Sequence, residues 1–310
     1  MILTLTINPA IDRNVLVDRL VFEDRTYILS TRESPGGRGI NASLVIHSFG
    51  GRTRAIAVSG GKSGAKFEEL LRGCGYPVDL VSIRNPLRTN LTITDKQGLS
   101  VKLNEFGPAM TPGEVARLEK AVENRLAGAQ WLLIFGSLPP GVAPSLYSKL
   151  VAMARERKVK TVLDTDGDAL LEGVEAGPTV VSPNQQEAER LLNTALITRT
   201  HFLDAAARIQ AMGAESVILS LGSRGAVAAS RGRMIEVIAP HVDALCPIGS
   251  GDAMAAAFVW ALSRKSDFAD AVRWGVAAGT ASARLPGVSF ASLEQTRDIY
   301  RQVEVRPAAR

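Results

Sequence analysis

The sequence predicts an α/β fold with a mostly parallel central sheet, helices on both faces, and a small β-sheet outside the main body, here called the lid. From residue 112 onward, short apolar runs alternate with stretches of helical periodicity, which is typical of a parallel sheet covered by helices. Two earlier regions, near 14–32 and 91–103, do not follow this rhythm. Their alternation of apolar and polar residues is typical of half-exposed strands and predicts the lid.

In the first part of the chain, each predicted element rests on a local pattern. The segment Ile2 to Ile7 predicts a buried strand that stops at Asn8-Pro9, and the turn Asp95-Lys96-Gln97-Gly98 between two short strands predicts a hairpin. In chain order, we expect strands at 2–7, 14–20 and 26–32, a helix at 39–49, a strand at 53–59, a helix at 63–73, and strands at 91–94 and 99–103.

The remainder of the chain follows the regular α/β rhythm. We expect a helix at 112–126, a strand at 131–135, a helix at 144–157, strands at 161–164 and ending at 180–181, helices at 185–193 and 202–212, a strand at 216–220, a hairpin at 226–238, a helix after the glycines at 249–251, and a last pair of helices around 269–284. Because no linker or repeat divides the chain, we expect one domain over residues 1–310, with lid strands from about 12–33 and 88–104.

The composition limits the classes of function. With 310 residues, of which 46% are hydrophobic and 22% charged, the chain can bury a large core. The net charge of +5 is spread without a Lys/Arg-rich run and aromatic residues make up 5%, so we expect no nucleic-acid partner. No apolar stretch reaches the length of a membrane span and no secretion signal begins the chain, so we expect a soluble, cytoplasmic protein without membrane association. Two cysteines and three histidines without ligand spacing predict neither a disulfide framework nor a zinc site.

The most informative segment is Gly249-Ser250-Gly251-Asp252, which precedes a long run of helix formers. Glycines let a ligand approach the backbone, and the free amides of a helix N-terminus attract anions, phosphate above all. A carboxylate at that position would repel phosphate, so its expected role is that of a base acting on the attacking nucleophile. The segment therefore indicates phosphoryl transfer. The alternative is that Asp252 is only a first-turn acid stabilised by the helix dipole.

Two other glycine motifs suggest nucleotide sites less well. Gly61-Lys62-Ser63 lies between a strand and a helix, but the P-loop needs a glycine where this chain has Ile56, so we reject that interpretation. Gly37-Arg-Gly39-Ile-Asn-Ala42 matches a loose dinucleotide fingerprint, but the preceding segment contains Pro35 and is not a buried strand. A dehydrogenase stays open as a remote alternative. Gly36, Gly37, Arg38 and Asn41 suit the hydroxyls and phosphate of a sugar derivative.

These two glycine clusters, in this order and at opposite ends of the chain, resemble the signature regions of the PfkB (ribokinase-like) carbohydrate kinase family. The resemblance covers nearly the whole chain and is closest to the branch that acts on sugar phosphates: 1-phosphofructokinases, tagatose-6-phosphate kinases and minor 6-phosphofructokinases. The motifs that carry it are Asn8-Pro-Ala-Ile-Asp12, Gly36–Asn41, Phe135-Gly-Ser-Leu-Pro-Pro-Gly141, Ser182-Pro-Asn184-Gln-Gln-Glu187, Leu219-Ser-Leu-Gly222-Ser-Arg-Gly225 and Pro247-Ile-Gly-Ser-Gly-Asp252.

The resemblance implies a ribokinase-like fold, ATP and Mg²⁺ as cofactors, a sugar phosphate as substrate, and a homodimer formed through the lid. It implies Asp252 as the general base, with the amides of Gly249, Ser250 and Gly251 stabilising the transferred phosphoryl group. Implied nucleotide-binding residues are Asn184, Ser220, Gly222, Gly225, Gly251 and Gly279; Asn184 and Glu187 would organise Mg²⁺, in part through water. Implied substrate-binding residues are Asp12, Arg25, Gly36, Gly37, Arg38, Asn41, Arg88, Lys102 and Ser137.

Cations near the lid bear on the substrate, because a substrate that already carries a phosphate needs positive charge at its far end. Arg25, Arg38, Arg88 and Lys102 fall on or beside the lid. These charges favour a phosphorylated substrate. The resemblance implies that it is a ketohexose phosphate, with fructose 1-phosphate first, and fructose 6-phosphate or tagatose 6-phosphate as alternatives. A kinase for a neutral sugar and a non-catalytic sugar-phosphate sensor are more remote alternatives.

Three positions depart from the family pattern. Ser182 stands where many relatives have lysine, Ala253 where serine is common, and Arg38 where lysine or glycine is frequent. Ser182 bears on nucleotide contacts, and Ala253 bears on a hydrogen bond at the helix start. Arg38 bears on which end of the sugar is held.

Overall fold

The computed structural model describes residues 1–21 and 23–308. Two parts of the predicted ranges lie outside these residues: Phe22, within the lid segment 12–33, and the last two positions of the domain 1–310. The described residues form one sheet of ten strands and a separate sheet of four strands, with helices around the larger sheet. The predicted α/β class is confirmed.

The larger sheet is parallel over most of its width. In spatial order its strands are β14 (Glu304–Ala308), β13 (Arg233–Ile238), β12 (Ala226–Ser230), β11 (Ser216–Ser220), β10 (Val180–Val181), β9 (Lys160–Asp164), β8 (Trp131–Phe135), β1 (Ile2–Thr6), β4 (Thr53–Gly60) and β5 (Val78–Ile83). Strands β11 to β5 are parallel, and β12, β13 and β14 extend the sheet with antiparallel pairing. Because the carboxyl ends of parallel strands meet at one edge, residues that follow β1, β8, β9 and β10 gather at the same end of the sheet.

Helices cover both faces of this sheet. One layer contains α1 (Arg38–Ser48), α8 (Ser250–Ser263), α9 (Phe268–Ala283) and α10 (Leu293–Tyr300); the other contains α2 (Gly61–Arg72), α3 (Pro112–Leu126), α4 (Ser145–Glu156), α5 (Gly167–Glu175), α6 (Gln185–Leu192) and α7 (Arg199–Ala211). Along β8, Leu132 and Ile134 pack into one apolar layer while Leu133 and Phe135 pack into the other. A strand buried on both faces has no polar face, which explains its continuous apolar sequence.

The smaller sheet is the lid. Its strands, in spatial order, are β3 (Ile28–Gly36), β2 (Ala10–Val17), β6 (Arg88–Asp95) and β7 (Ser100–Asn104). The central pair, β2 and β6, is parallel, and the two outer pairs are antiparallel. Strand β3 runs through Pro35 beyond its predicted end at residue 32, because an edge strand tolerates a residue without an amide hydrogen.

Some elements differ from the predictions. Strand β5, helices α5 and α10, and strand β14 were not predicted, although Ser292 and Gln295 form a capping box that signals the start of α10. The predicted last pair of helices around 269–284 is a single helix, α9. The glycines inside α9 do not interrupt the helix. Their role is in packing, because they let α9 approach α8 closely: a Cβ on Gly279 would lie 2.9 Å from the carbonyl oxygen of Ser250. Across the described residues, no helix combines the length and the apolar character that crossing a membrane requires.

Candidate active site

Two cavities lie on either side of the start of α8. The first, called the lid cavity, has a volume of about 320 Å³, and its lining includes Asp12, Arg38, Asn41, Arg88, Lys102 and Asp252. The second, called the loop cavity, has a volume of about 570 Å³, and its lining includes Asn184, Ser220, Gly222, Gly225, Gly251 and Gly279. Gly249 and Asp252 face the first, whereas Ser250 and Gly251 face the second. The first turn of α8 therefore forms the boundary between them.

The start of α8 offers free amides at this boundary. Gly249 precedes the helix with a φ of 83°, a left-handed conformation that favours glycine, and no side chain caps the helix. Within the described residues, the amides of Gly251 and Asp252 donate no hydrogen bond. The Ser250 amide was expected to be free, but it donates a hydrogen bond to the carbonyl of Pro247 at 3.2 Å. Nothing lies within 4 Å of the position that a Cβ on Gly251 would take, so the backbone there is open to a ligand.

Asp252 is buried at the boundary and is oriented by Asn41. Only 8% of the residue is exposed, and its Oδ2 accepts a hydrogen bond from Asn41 Nδ2 at 2.8 Å. Burial, reinforced by the nearby carboxylate of Asp164, raises the pKa of Asp252 to about 7. A carboxyl group with a pKa near neutrality that faces a cavity is suited to accept a proton from a bound hydroxyl.

A second carboxyl group, Asp12, faces the lid cavity from strand β2. Its Oδ1 accepts a hydrogen bond from Asn90 Nδ2 at 2.8 Å, and burial raises its pKa. A Cβ on Gly36 would lie only 2.3 Å from the Asp12 carboxyl group, so a glycine is needed there for Asp12 to hold this position. The lid strands thus orient an acceptor group toward the cavity.

Arg88 connects the lid to the main body while also lining the lid cavity. Its Nη1 donates to the carbonyl of Glu105 and its Nη2 to the carbonyl of Asn8, each at 3.0 Å. Its buried Nε has no partner among the described residues, and burial lowers the pKa of the guanidinium. A cation held by backbone carbonyls alone retains its charge for an anionic ligand. Lys102 lines the same cavity, whereas the exposed Arg25 does not.

Arg38 lies in a cluster of acidic side chains. Its Nη1 is 2.5 Å from Asp164 Oδ1, and its Nη2 is 3.4 Å from Glu187 Oε1 and 3.6 Å from Asp166 Oδ2. The carboxylates of Asp164, Glu187 and Asp252 raise the pKa of Arg38 further above its ordinary value, with Asp164 the largest cause. The sequence predicted Arg38 as a ligand of the sugar; in this structure its charge is engaged by carboxylates instead.

The loop cavity is shaped by the start of α6 and by glycines. Asn184 caps α6, and Asn184 and Glu187 form a capping box in which each side chain accepts the other's amide at 2.9 Å. Gly225 has a φ of 96°, and a Cβ there would lie 2.0 Å from the carbonyl oxygen of Val237. The Ser182 hydroxyl, where a lysine is common in relatives, is buried without a partner among the described residues. Glu187 lines neither cavity but contacts Arg38 between them.

Two buried carboxylates near this boundary, Asp164 and Glu187, are available to a divalent cation. Burial raises the pKa of both, that of Glu187 to about 7. Residues 1–21 and 23–308 contain no group of three or more His, Cys, Asp or Glu side chains that could hold a metal. Mg²⁺ is commonly bound by one or two protein carboxylates together with substrate phosphates and water. The donor set therefore fits an Mg²⁺ ion that arrives with a phosphate ligand.

The fold brings most of the predicted site residues together. Gly37, Asn41, Ser137 and Gly249 line the lid cavity with the residues named above. Gly36 and Glu187 do not line it but contact residues that do, Asp12 and Arg38, whereas the exposed Arg25 lies apart. Asn8, Asn90, Asp164 and Asp166 were not predicted, although they contribute to the site. A signal for Asp164 was present, since a carboxylate at the end of a buried strand in a parallel sheet falls at the ligand-binding edge.

Comparisons with known proteins agree with this geometry. The sequence pattern of the family described as pfkB family carbohydrate kinase matches residues 4–296. The chain is 32% identical to ATP-dependent 6-phosphofructokinase isozyme 2 of Escherichia coli, over 96% of this chain and 97% of that protein. It is 29% identical to 1-phosphofructokinase of Borreliella burgdorferi, over 91% of this chain and 92% of that protein. A crystal structure of phosphofructokinase-2 from Escherichia coli in complex with substrates and products superposes with a TM-score of 0.91, covering 97% of this chain and 98% of that chain.

The fold and the comparisons define a phosphotransferase with a ribokinase-like α/β fold, which transfers a phosphoryl group to a hydroxyl. More specifically, the chain belongs to the PfkB family of carbohydrate kinases. The family and the enzyme class expected from the sequence are confirmed. A dehydrogenase is excluded, because the glycines at 36–39 follow a lid strand and not a strand of the parallel sheet.

Proposed function

We propose that this protein is an ATP-dependent kinase that phosphorylates a hydroxyl of a ketohexose monophosphate, giving a bisphosphate and ADP. The observation that carries the proposal is the position of Asp252, which is buried at the boundary between the two cavities and next to free amides of α8. A sensor without catalysis would not need a carboxyl group with a near-neutral pKa at that boundary.

In the proposed reaction, Asp252 accepts the proton of the attacking hydroxyl as that oxygen bonds to the γ-phosphorus of ATP. The bond from the γ-phosphorus to the bridging oxygen breaks, and ADP leaves with the electron pair. General base catalysis of this kind contributes roughly 10²–10⁴-fold to rate. The amides of Gly251 and Asp252 face the position of the transferred phosphoryl group and stabilise the charge on its oxygens. Asn41 keeps the carboxylate oriented through its 2.8 Å hydrogen bond.

The lid cavity supplies the acceptor site in this proposal. Asp12 and Asn41 bind sugar hydroxyls, and Ser137 lines the same wall and accepts a hydrogen bond from Asn8 Nδ2 at 3.3 Å. Arg88 and Lys102 bind the phosphate that the substrate already carries. Two cations in a cavity of about 320 Å³ have little use in a kinase for neutral sugars, which supports a phosphorylated substrate.

The loop cavity supplies the nucleotide site. Ser220, Gly222, Gly225 and Gly279 leave room for the nucleoside, and Asn184 faces the phosphates. Asp164 and Glu187 would hold Mg²⁺, which when bound neutralises charge on the phosphates of ATP. Closure of the lid over the acceptor would exclude water from the transferred group.

Two acceptors are supported by different observations. The overall sequence resemblance favours fructose 1-phosphate. The relative that shares 32% identity is named a 6-phosphofructokinase, which favours fructose 6-phosphate. Both carry a phosphate at one end of a ketohexose and a hydroxyl at the other, which suits a cavity lined by two cations and by Asp252.

The test is an ADP-release assay over a panel of acceptors. The panel contains fructose 1-phosphate, fructose 6-phosphate and tagatose 6-phosphate, with fructose and ribose as the neutral controls. We expect kcat/KM for one phosphorylated ketohexose to exceed that for fructose by at least about a hundredfold, since the charged contacts are lost with the neutral sugar. Turnover of a neutral sugar at the higher rate, or no turnover of any phosphosugar, would show the proposal to be wrong.

The proposed base also predicts a pH dependence. Because burial raises the pKa of Asp252 to about 7, the group is protonated below that pH and cannot accept the hydroxyl proton. We therefore expect kcat/KM to rise with pH through the neutral range with a slope of about one and to level off when Asp252 is ionised. The measurement is a pH profile with the preferred acceptor, with each buffer checked against thermal unfolding. A level profile from about pH 5 to about pH 9 would contradict the assignment.

We also propose that two chains associate through their lids. The lid exposes large apolar side chains, among them Tyr27, Ile28 and Leu103, which are 65%, 65% and 54% exposed. Exposed apolar side chains at both edges of a small sheet, on β3 and on β7, are available to a protein partner. A structure of phosphofructokinase-2 from Escherichia coli is described as its tetrameric inhibited form, so that relative does assemble.

A further inference from the structure

The contacts of Arg38 bear on how a divalent cation can enter the site. Asp164 and Glu187 are buried side chains, 9% and 7% exposed, and the guanidinium is the nearest cation to both. The Arg38 side chain itself is 33% exposed and lines the lid cavity. One partly exposed cation therefore compensates two carboxylates that burial would otherwise leave with a large desolvation cost.

The two carboxylate oxygens of Glu187 have different partners. Its Oε2 accepts the amide of Asn184 at 2.9 Å as part of the capping box. Its Oε1 is the oxygen that Arg38 contacts, at 3.4 Å from Nη2 and 3.5 Å from Nη1. Oε1 is therefore the oxygen of Glu187 that the cap of α6 leaves free for a metal ion. The metal ion meets the guanidinium there, and like charges a few ångströms apart repel each other strongly in a partly buried site.

We propose that Arg38 and a divalent cation compete for the Asp164–Glu187 pair, so that metal binding displaces the guanidinium from these carboxylates. This inference rests on the proposed function, which brings Mg²⁺ to the site with ATP. The lid cavity can accept the displaced guanidinium, because Arg38 already lines this cavity together with Asp12 and Asp252. Displaced into that cavity, its charge lies close to the position of the transferred phosphoryl group. The free protein binds a bare metal ion weakly, and a metal ion that arrives with phosphates both replaces Arg38 and supplies a new anionic partner for it.

Because two ligands that exclude each other must do so reciprocally, removing Arg38 should strengthen metal binding. The test is a calorimetric titration with Mn²⁺ alone, without nucleotide or sugar, on the wild-type protein and on Arg38→Met. Methionine removes the charge and keeps much of the side-chain bulk. We expect the Kd for Mn²⁺ to fall by about tenfold or more in Arg38→Met, since a repelling charge within a few ångströms is removed. The thermal stabilisation by Mn²⁺ should grow in parallel.

The matched control is Arg54→Met. Arg54 also pairs with a carboxylate, Asp79 at 2.8 Å, but it lies outside both cavities. Its loss should leave the Kd for Mn²⁺ within about twofold of wild type, because a charge beyond the Debye length is screened. An Arg38→Met protein with an unchanged or larger Kd, or with no measurable Mn²⁺ binding, would overturn the proposal.

A measurement on the unaltered protein covers the case in which Arg38→Met does not fold. Crystals of the wild-type protein soaked in Mn²⁺ should show an anomalous peak beside Asp164 and Glu187 and should show Arg38 Nη1 moved away from Asp164 Oδ1. A peak at the two carboxylates with the Arg38–Asp164 contact intact would contradict the competition. Both measurements omit sugar and nucleotide, so their outcome is independent of the acceptor panel that tests the proposed function.

Discussion

Asp252→Asn is expected to lower kcat by about 100- to 10,000-fold, since the variant loses the group that accepts the hydroxyl proton. The substitution keeps the size of the side chain, and its amide oxygen can still accept the hydrogen bond that Asn41 donates to Asp252. We therefore expect the Kd for the acceptor to change by less than about threefold. The measurement is steady-state ADP release together with direct titration of the acceptor.

The matched control for Asp252 is Asp270→Asn. Asp270 is also an acid in the first turn of a helix, at the start of α9, but its Oδ1 accepts a hydrogen bond from the Tyr300 hydroxyl and it lines neither cavity. Its kcat should stay close to wild type. If Asp252→Asn retained a near-normal kcat, the base assignment would be wrong. If both variants lost activity equally, the effect would come from the helix starts and not from a base.

Arg88→Met is expected to raise the Kd for the phosphorylated acceptor by about ten- to a hundredfold, because a charge-assisted hydrogen bond to the substrate phosphate is lost. With kcat measured at saturating acceptor, the larger effect should appear in KM, since Arg88 does not contact the transferred group in the proposed arrangement. The rate with fructose, which has no phosphate, should fall much less. The ratio of kcat/KM for the phosphosugar to that for fructose is therefore the decisive quantity.

Arg88 also donates to the carbonyls of Asn8 and Glu105, so its loss should lower thermal stability as well. The ratio of the two substrates separates the two roles, because a purely structural defect lowers both rates alike. Arg13→Met is the matched control: Arg13 is a lid arginine that pairs with Glu33 at 2.7 Å and does not line the lid cavity. An unchanged substrate ratio in Arg88→Met would refute the phosphate-binding role.

Sequence signals that act over a few residues predicted much of the molecule. The glycines before Asp252 predicted a helix start with free amides, and α8 begins there with Gly251 open to a ligand. Asn184 and Glu187, which the resemblance assigned to one site, do lie together, since they form the capping box of α6. The amide of Ser250 was predicted incorrectly, since the turn at Pro247 uses it. That turn depends on the path of the preceding loop, which no local pattern records.

Partners far apart in the sequence were beyond such signals. Asn41 and Asp252 are 211 residues apart, Asp12 and Asn90 are 78 apart, and Arg38 and Asp164 are 126 apart. Asp12 and Asn90 meet as paired residues of strands β2 and β6, whereas the other two pairs join α1 to α8 and to the end of β9. From the sequence, Arg38 was a cation suited to a sugar ligand. Its engagement by Asp164 and Glu187 depends on the end of β9 and the start of α6 lying beside the start of α1.

The sequence by itself determined the α/β class, the lid and the kind of chemistry, because these depend on periodicity, glycine conformation and helix capping, all of which act within a few residues along the chain. Only the tertiary structure decided which charges face each other and how strongly the pKa of Asp252 is raised. The physical reason is that desolvation and Coulomb energies depend on burial and on distances in space, which the packing of strands and helices sets and a linear pattern does not.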